Sequence, residues 1–251
     1  MGETQKIKVI VFDLGCTLME YKGMHLSWVS YYKDSFEYVN KKLALGLSEE
    51  QIDASIEIYK NYNPRIKPRE AEIAPEMIFS DIISGWNTDV PLKTIIDTFF
   101  ESLKLEPIIY EDSIPALKQL RGKGLKIAAL TDVATGMPDE LHKNYVSPLL
   151  PYFDLYVSSL SCGYKKPNPK GIKDIAEFFG TAPEEMLMVG DDRRDVEVAR
   201  RFGCKSVLIR RDGSASTFAE DGTNKDAAFP EYGQNYSVRN LEEFLNLNFW
   251  L

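Results

Sequence analysis

The 251-residue sequence has few of the residues on which several common kinds of site depend. Its three cysteines, Cys16, Cys162 and Cys204, are an odd number without CxxC spacing, which argues against a disulfide framework or a zinc site and is typical of a reducing compartment. With only two histidines, His25 and His142, multi-histidine metal sites and histidine-assisted nucleophiles have few candidate members. We therefore expect any chemistry here to depend on carboxylates and lysines.

Long apolar runs and an excess of basic charge are also missing. The longest apolar runs, such as residues 9–12, are far shorter than the ~20 residues that a membrane-spanning helix requires. The amino-terminal residues lack the basic and apolar regions of a secretory signal. The 38 acidic and 30 basic residues give a formal net charge of −8, which argues against a general nucleic-acid surface. We expect a cytoplasmic protein that binds neither membranes nor nucleic acids.

The pattern of apolar residues predicts an α/β fold with a doubly wound, mainly parallel sheet. Residues 7–12 form a continuous β-branched and aromatic run, which indicates a buried parallel strand. In the second half of the chain, predicted strands alternate with helices, as crossover connections require. The strands are predicted at 125–130, 155–158, 186–189 and 206–209, and the helices at 114–121, 170–179, 194–202 and 241–245.

The stretch between these two parts has a different character. Apolar residues at helical spacing, and a capping-box pattern from Ser48 to Gln51, predict a helical insertion over residues 20–106. The α/β core then comprises residues 1–19 and 107–251. Residues 212–236 are rich in glycine, serine, aspartate and asparagine, and we expect irregular structure there.

Polar residues follow three of the predicted strands. Because ligands of open parallel sheets bind outside the carboxyl ends of the strands, these residues predict a site. Clustered carboxylates repel each other unless a cation neutralises them, and their oxygen atoms favour Mg²⁺. An aspartate there can attack phosphorus to form an aspartyl-phosphate, and a hydroxyl group and a lysine can hold the phosphate oxygens. The residues at these strand ends are Asp13, Thr131, Asp191, Asp192 and Asp195.

Four segments carry these residues in a distinctive order. They are Phe12-Asp13-Leu14-Gly15-Cys16-Thr17-Leu18, Leu130-Thr131-Asp132, Gly163-Tyr164-Lys165-Lys166-Pro167-Asn168-Pro169, and Val189-Gly190-Asp191-Asp192-Arg193-Arg194-Asp195. Because of these four segments taken together, the sequence resembles the haloacid dehalogenase-like (HAD) hydrolase superfamily. The resemblance implies a Rossmann-like core and, because the insertion lies between the first two motifs, a helical cap of the C1 type.

The resemblance also implies a role for each motif residue. Asp13 would be the nucleophile, Thr131 would bind phosphate, and Lys166 would stabilise the transferring group. The implied substrate-binding residues are Thr131, Asp132 and Lys166, and the implied Mg²⁺ ligands are Asp13, Gly15 through its carbonyl, Asp191, Asp192 and Asp195. Lys165 competes with Lys166, and only the spacing to Pro167 and Pro169 selects between them. Asp195 has an alternative as the ion-pair partner of Arg193 or Arg194.

Gly15 departs from the family pattern. Phosphatases of the superfamily have a second aspartate at this position, which serves as general acid and base and typically contributes ~10²- to 10⁴-fold. Three consequences stay open. The enzyme favours leaving groups that need little protonation, such as acyl phosphates or aryl esters; it borrows an acid from the cap or from Asp132, Lys22 or His25; or it shares the chemistry of the dehalogenase or phosphonate-cleaving branches, which also lack this aspartate.

The sequence therefore predicts a Mg²⁺-dependent phosphatase that acts on a small phosphorylated metabolite through an aspartyl-phosphate. One alternative is a haloacid dehalogenase or phosphonatase, and another is a degenerate protein that binds phosphate or a partner without turnover. The intact acidic fourth motif argues against the dehalogenase branch, which works without a metal. A monomer and a homodimer both stay open, and the aromatic residues Phe249 and Trp250 are candidates for a dimer contact or a docked terminus.

Overall fold

The computed structural model describes residues 6–24, 27–211 and 231–247. His25, Phe249, Trp250 and most of the segment predicted to be irregular lie outside these residues. The strands of the described part are β1 (Val9–Phe12), β2 (Met19–Tyr21), β3 (Pro107–Ile109), β4 (Lys126–Thr131), β5 (Leu155–Ser158), β6 (Met186–Gly190), β7 (Lys205–Ile209) and β8 (Tyr236–Val238).

Six of these strands form one sheet in the order β5-β4-β1-β6-β7-β8, and every pair in it is parallel. The predicted fold class is confirmed. The predicted strands agree with the observed ones to within two residues at each end. Tyr236, the last residue of the segment predicted to be irregular, begins β8, so that prediction is wrong there. The strand is short and half-exposed, and it carries no continuous apolar run that would have indicated it.

Strand β1 lies in the middle of the sheet, and this position accounts for its continuous apolar sequence. Val9 and Val11 pack on one face against α8 (Lys170–Phe179) and α9 (Arg193–Phe202), which are the helices of that side. Ile10 and Phe12 pack on the other face against α5 (Ser113–Gly122) and α10 (Leu241–Asn246). All four residues of the strand are fully buried, because helices cover both faces of a doubly wound sheet.

The remaining helices are α1 (Tyr32–Lys42), α2 (Glu49–Tyr62), α3 (Pro75–Ile82), α4 (Leu92–Ser102), α6 (Asp139–Tyr145) and α7 (Ser159–Cys162). The short helices α6 and α7, which follow strands β4 and β5, were not predicted. Among the described residues, no helix has both the length and the apolar character that crossing a bilayer demands.

Helices α1 to α4 lie between β2 and β3, which pair with each other in antiparallel fashion. The capping box at the start of α2 is confirmed, since Gln51 N donates to Ser48 Oγ at 3.3 Å and Ser48 N donates to Gln51 Oε1 at 3.0 Å. The four helices, together with Val133 and Met137 from outside the insertion, enclose an apolar cluster in which Tyr59 and Phe99 stack edge to face at 5.1 Å. The predicted helical character of this insertion is confirmed.

A short segment of the insertion, residues 70–72, pairs with the loop that carries the two motif lysines. Lys165 N donates to Glu70 O at 2.7 Å, and Glu72 N donates to Gly163 O at 2.9 Å. We call residues 70–72 the strap. Because of the strap, the helical insertion is joined to the core at a third place besides β2 and β3.

Candidate active site

Asp13 follows β1 directly and lies at the carboxyl edge of the sheet. Phe12 is in register with Ala129 of β4 and Val189 of β6. Thr131 therefore lies two residues beyond the pairing on one side, and Asp191 two residues beyond it on the other. Asp13 and Thr131 are 7% and 3% exposed, so both polar side chains are held in a largely dry environment.

Lys166 joins the motifs at the centre of the site. Its Nζ lies 2.7 Å from Asp13 Oδ1 and 2.5 Å from Asp195 Oδ1, and its side chain is 4% exposed. Lys165 points elsewhere: its Nζ contacts Glu72 Oε2 of the strap at 2.5 Å and donates to the carbonyl of Val133 at 2.7 Å. Only Lys166 of the two contacts Asp13, which agrees with the choice made from the proline spacing.

Three carboxylates converge beside this lysine. One oxygen atom from each of Asp13, Asp191 and Asp195 lies within 4.8 Å of the others. Thr17 Oγ1 donates to Asp191 Oδ1 at 3.4 Å and so orients that carboxylate from within the first motif. Three acidic groups around one ammonium group leave an excess of negative charge, which a cation could offset.

The electrostatic effects agree with this charge excess. Burial raises the pKa of Asp191 well above its usual range, and the neighbouring Asp13 raises it further. Burial also raises the pKa of Asp195, although Lys166 opposes the effect. For Lys166, burial favours the neutral form, but Asp13 and Asp195 outweigh it and leave the pKa above its ordinary value. These carboxylates therefore hold Lys166 in its charged form.

Asp192 lies beside this cluster but has other partners. Its Oδ1 accepts from the backbone of Arg194 at 2.9 Å, which caps α9, and from the Arg194 guanidinium at 3.1 Å. Arg194 also donates to Asp132 Oδ2 at 3.1 Å, so this arginine pairs with Asp192 and Asp132 and not with Asp195. Burial alone would raise the pKa of Asp192, but Arg194 lowers it below its ordinary value.

Gly190 allows Asp195 to reach the site. The Asp195 carboxylate folds back over the amino-terminal turn of α9, where Oδ2 accepts from Asp192 N at 3.0 Å. A Cβ atom on residue 190 would lie 2.2 Å from Asp195 Cγ, so any larger residue would displace the carboxylate. The glycine of the fourth motif is therefore required for packing.

Gly15 lies at the edge of the same site. A Cβ atom built on it meets no heavy atom within 4 Å, and its backbone forms a bridge with Met19. The position therefore has room for the carboxyl group that it lacks. Of the acids considered as substitutes, Asp132 is already engaged by Arg194 and by Lys166 N, and Lys22 is an exposed partner of Glu106.

A cavity of about 240 Å³ opens over these groups. Asp13, Gly15, Thr131, Lys166 and Asp191 line its polar end. The insertion contributes residues from the start of α1, from α2 and from α4, so the motif residues and the helices enclose one common space.

A model of the haloacid dehalogenase-like hydrolase family matches residues 7–203. The chain belongs to this family. The four segments that carry the resemblance all fall within the match, and they meet at one edge of the sheet. The chain is thus a HAD hydrolase.

Named relatives of this HAD hydrolase are phosphatases. A glyceraldehyde 3-phosphate phosphatase of Methanopyrus kandleri is 30% identical over 216 residues, which cover 82% of this chain and 84% of that protein. A phosphoglycolate phosphatase of Aquifex aeolicus is 33% identical over 119 residues, or 45% of this chain and 54% of that protein. The chain spans about half the length of the phosphoglycolate phosphatases that it matches.

Solved structures of HAD proteins share the fold. A 2-haloacid dehalogenase from Pseudomonas syringae pv. Tomato superposes with a TM-score of 0.65 at 17% identity, covering 98% of this chain and 100% of that one. A HAD phosphatase from Thermococcus onnurineus gives a TM-score of 0.59 at 21% identity, covering 96% and 97% of the two chains. At these identities the likeness shows the HAD fold and does not select a reaction.

Sequence reasoning missed three groups of this HAD site. Thr17 lies in the first motif, and its hydroxyl group could have been predicted to contact a site carboxylate, as it does with Asp191. Arg194 was considered only as a partner of Asp195, although its position two residues after a helix-capping aspartate favours the contact with Asp192. Glu72 carried no local signal, since its partner Lys165 is far away in the sequence.

Proposed function

We propose that this HAD hydrolase is a Mg²⁺-dependent phosphatase that acts on a small phosphorylated metabolite through an aspartyl-phosphate on Asp13. The observation that carries the proposal is the group of Asp13, Asp191 and Asp195 around Lys166, in which Asp13, Asp195 and Lys166 are buried. A metal-independent dehalogenase has no use for these extra carboxylates. The phosphatase names of relatives at about 30% identity support the same choice.

The donor atoms present fit Mg²⁺. Carboxylate and carbonyl oxygens are the ligands that this ion prefers, and a divalent cation would offset the negative charge that Lys166 leaves. Asp13, the carbonyl of Gly15 and Asp191 would hold it, with Asp192 and Asp195 supporting the site. Asp192 is the weakest member of this set, because Arg194 already engages its carboxylate. When bound, Mg²⁺ would polarise the phosphoryl group and neutralise its charge.

The residues of the chain would perform the rest of the reaction. An Asp13 oxygen attacks phosphorus, the ester P–O bond breaks, and the leaving alkoxide takes a proton from a water molecule. A second water molecule then hydrolyses the aspartyl-phosphate, which releases phosphate, restores the carboxylate and returns a proton to the solvent. Lys166, 2.7 Å from Asp13 Oδ1, orients the nucleophile and stabilises the transferring group, and Thr131 holds a phosphate oxygen.

We further propose that residues 20–106 form the cap of the enzyme and that residues 1–19 and 107–251 form its core. The insertion supplies most of one apolar cluster and lines one side of the cavity, which is the position of a lid that excludes water and selects substrate. The three cysteines, none of which is in a disulfide, support a cytoplasmic location.

Phosphate release from a panel of esters, with Mg²⁺ and after chelation, tests the proposal. We expect turnover to require Mg²⁺, and Asp13→Asn to reduce kcat by roughly 10⁴-fold or more. Asp97→Asn, which removes an exposed carboxylate of α4, is the matched control and should have wild-type activity. Halide release from a 2-haloacid without Mg²⁺, or full activity of Asp13→Asn, would overturn the proposal. Phosphate-analogue binding without any turnover would favour the binding-protein alternative.

A further inference from the structure

Five aromatic rings line the cavity from the side of the insertion, next to the polar side chains of Glu20, Asn63 and Arg65. Tyr32 and Tyr59 stack with their centroids 4.5 Å apart, and Tyr59 contacts Phe99 at 5.1 Å. Tyr21 and Trp28 add a second aromatic pair at 5.8 Å. The cavity that contains Asp13 is thus bounded by flat apolar surfaces, which a short, hydrated chain would leave without partners.

The hydroxyl group of Tyr21 is buried and has no hydrogen-bond partner among the described residues. The neighbouring phenols of the same wall are satisfied: Tyr32 accepts from Asn63 Nδ2 at 2.9 Å, and Tyr59 donates to Thr135 O at 2.5 Å. A buried polar group without a partner is costly, and native proteins seldom leave one. Because Tyr21 lines the cavity, a ligand can supply the missing partner.

The volume of the cavity suits a ring. An engineered apolar cavity of about 150 Å³ binds benzene, and the cavity here measures about 240 Å³. A group of benzene size therefore fits with space left for a phosphoryl group near Asp13. Glyceraldehyde 3-phosphate or phosphoglycolate would leave the aromatic wall unused.

From these three observations we infer that the substrate is a phosphate ester whose organic part is a flat, largely apolar ring bearing one polar substituent. The inference rests on the proposed phosphatase function and names the class of its substrate. The ring lies against the wall formed by Tyr21, Trp28, Tyr32, Tyr59 and Phe99, and the substituent bonds to the Tyr21 hydroxyl.

A comparison of benzyl phosphate with ethyl phosphate on the wild-type protein tests the ring. Both esters release an alkyl alcohol, so the missing acid at Gly15 affects them alike, and they differ mainly in the apolar group. One methylene in an apolar pocket changes kcat/KM by roughly 10- to 200-fold, so benzyl phosphate should exceed ethyl phosphate by at least about 100-fold. Equal values, or a preference for ethyl phosphate or phosphoglycolate, would overturn the inference.

Variants locate the preference in the wall. Trp28→Ala should remove most of the benzyl advantage, whereas Phe178→Ala, which removes an exposed ring of α8 outside the cavity, should leave it unchanged. Tyr21→Phe keeps the ring and deletes the hydroxyl, so the ratio of kcat/KM for 3-hydroxybenzyl phosphate to that for benzyl phosphate should fall roughly 3- to 10-fold. Equal effects of Trp28→Ala and Phe178→Ala, or of Tyr21→Phe on both esters, would contradict the assignment.

Calorimetry with phosphonates separates this inference from the proposed function. Benzylphosphonate cannot be hydrolysed, and we expect it to bind at least about 10-fold more tightly than ethylphosphonate. If it does so while no ester releases phosphate, the proposed function fails and the ligand class stands. If phosphate is released but neither benzyl compound is preferred, the function stands and the ligand class fails.

Discussion

The ion pair between Lys165 and Glu72 allows a sharp prediction about how the cap is held. The side chains of Lys165 and Glu72 are only 3% and 6% exposed, and the pair joins the strap to the lysine loop at 2.5 Å. Ser159 Oγ also donates to Glu72 Oε2 at 2.5 Å. Glu72→Gln removes the negative charge at nearly constant volume and leaves a buried ammonium group without its counter-ion.

The expected cost follows from this burial. Breaking a buried pair by removing one partner typically costs about 3–5 kcal/mol. The pair between Lys93 and Asp97 has almost the same length, 2.6 Å, but its side chains are 84% and 51% exposed. Its loss through Asp97→Asn should cost no more than about 0.5 kcal/mol.

Urea denaturation of both variants measures the difference. With a slope of about 3 kcal/mol per M, Glu72→Gln should lower the midpoint by at least about 1 M. Asp97→Asn should leave the midpoint within about 0.2 M of wild type. The double variant Glu72→Met/Lys165→Met replaces both charged side chains with apolar ones of similar length and should regain most of the loss, because a well-packed apolar replacement of a buried pair is often neutral. Similar midpoints for the two single variants would refute the reasoning.

Three further predictions concern the core. A Cβ atom on residue 15 meets no heavy atom within 4 Å, and Gly15→Asp should raise kcat for alkyl phosphates up to ~10²-fold while changing acetyl phosphate little; equal gains on both substrates, or no gain, would show that another acid already acts. Burial lowers the pKa of His142 to about 4, so its contribution to stability is complete above about pH 6.5 and is lost as the pH falls towards 4, by about 3 kcal/mol in total. His142→Asn should flatten the decline in urea midpoint over this range, and an unchanged slope would contradict the assignment. Gly190→Ala should displace Asp195 and cost about 1–3 kcal/mol, whereas Gly85→Ala, which meets no atom within 4 Å, should cost much less; thermal melts of equal midpoint would disprove the packing argument.

The core of this fold was predictable because its signals are local. The apolar run of β1 predicts a strand that is buried on both faces. Asp13, the polar residue after it, must then lie at the carboxyl edge of the sheet. The same logic placed Thr131 and Asp191 at neighbouring strand ends. Helix α8 was predicted with its observed ends because Pro169 precedes it and Gly180 ends it.

The parts that sequence reasoning missed depend on contacts between distant residues. The strap pairs with a loop about ninety positions later, and no pattern around Glu72 reveals a partner. The choice of Lys166 over Lys165 was made from the proline spacing alone, and the structure adds that the two adjacent side chains point in different directions. Strands β2 and β3 are three residues each, too short for periodicity to be read.

The strap also limits how this protein can be recombined. An exchange of residues 20–106 for the insertion of another family member cuts the chain at two places, next to β2 and β3. The exchange would also remove Glu72 and the backbone partners of the lysine loop. Lys165 would then be buried without its counter-ion, next to Lys166. A chimaera that keeps its active site intact would have to carry residues 163–166 together with the new insertion, so the unit of exchange is discontinuous in sequence.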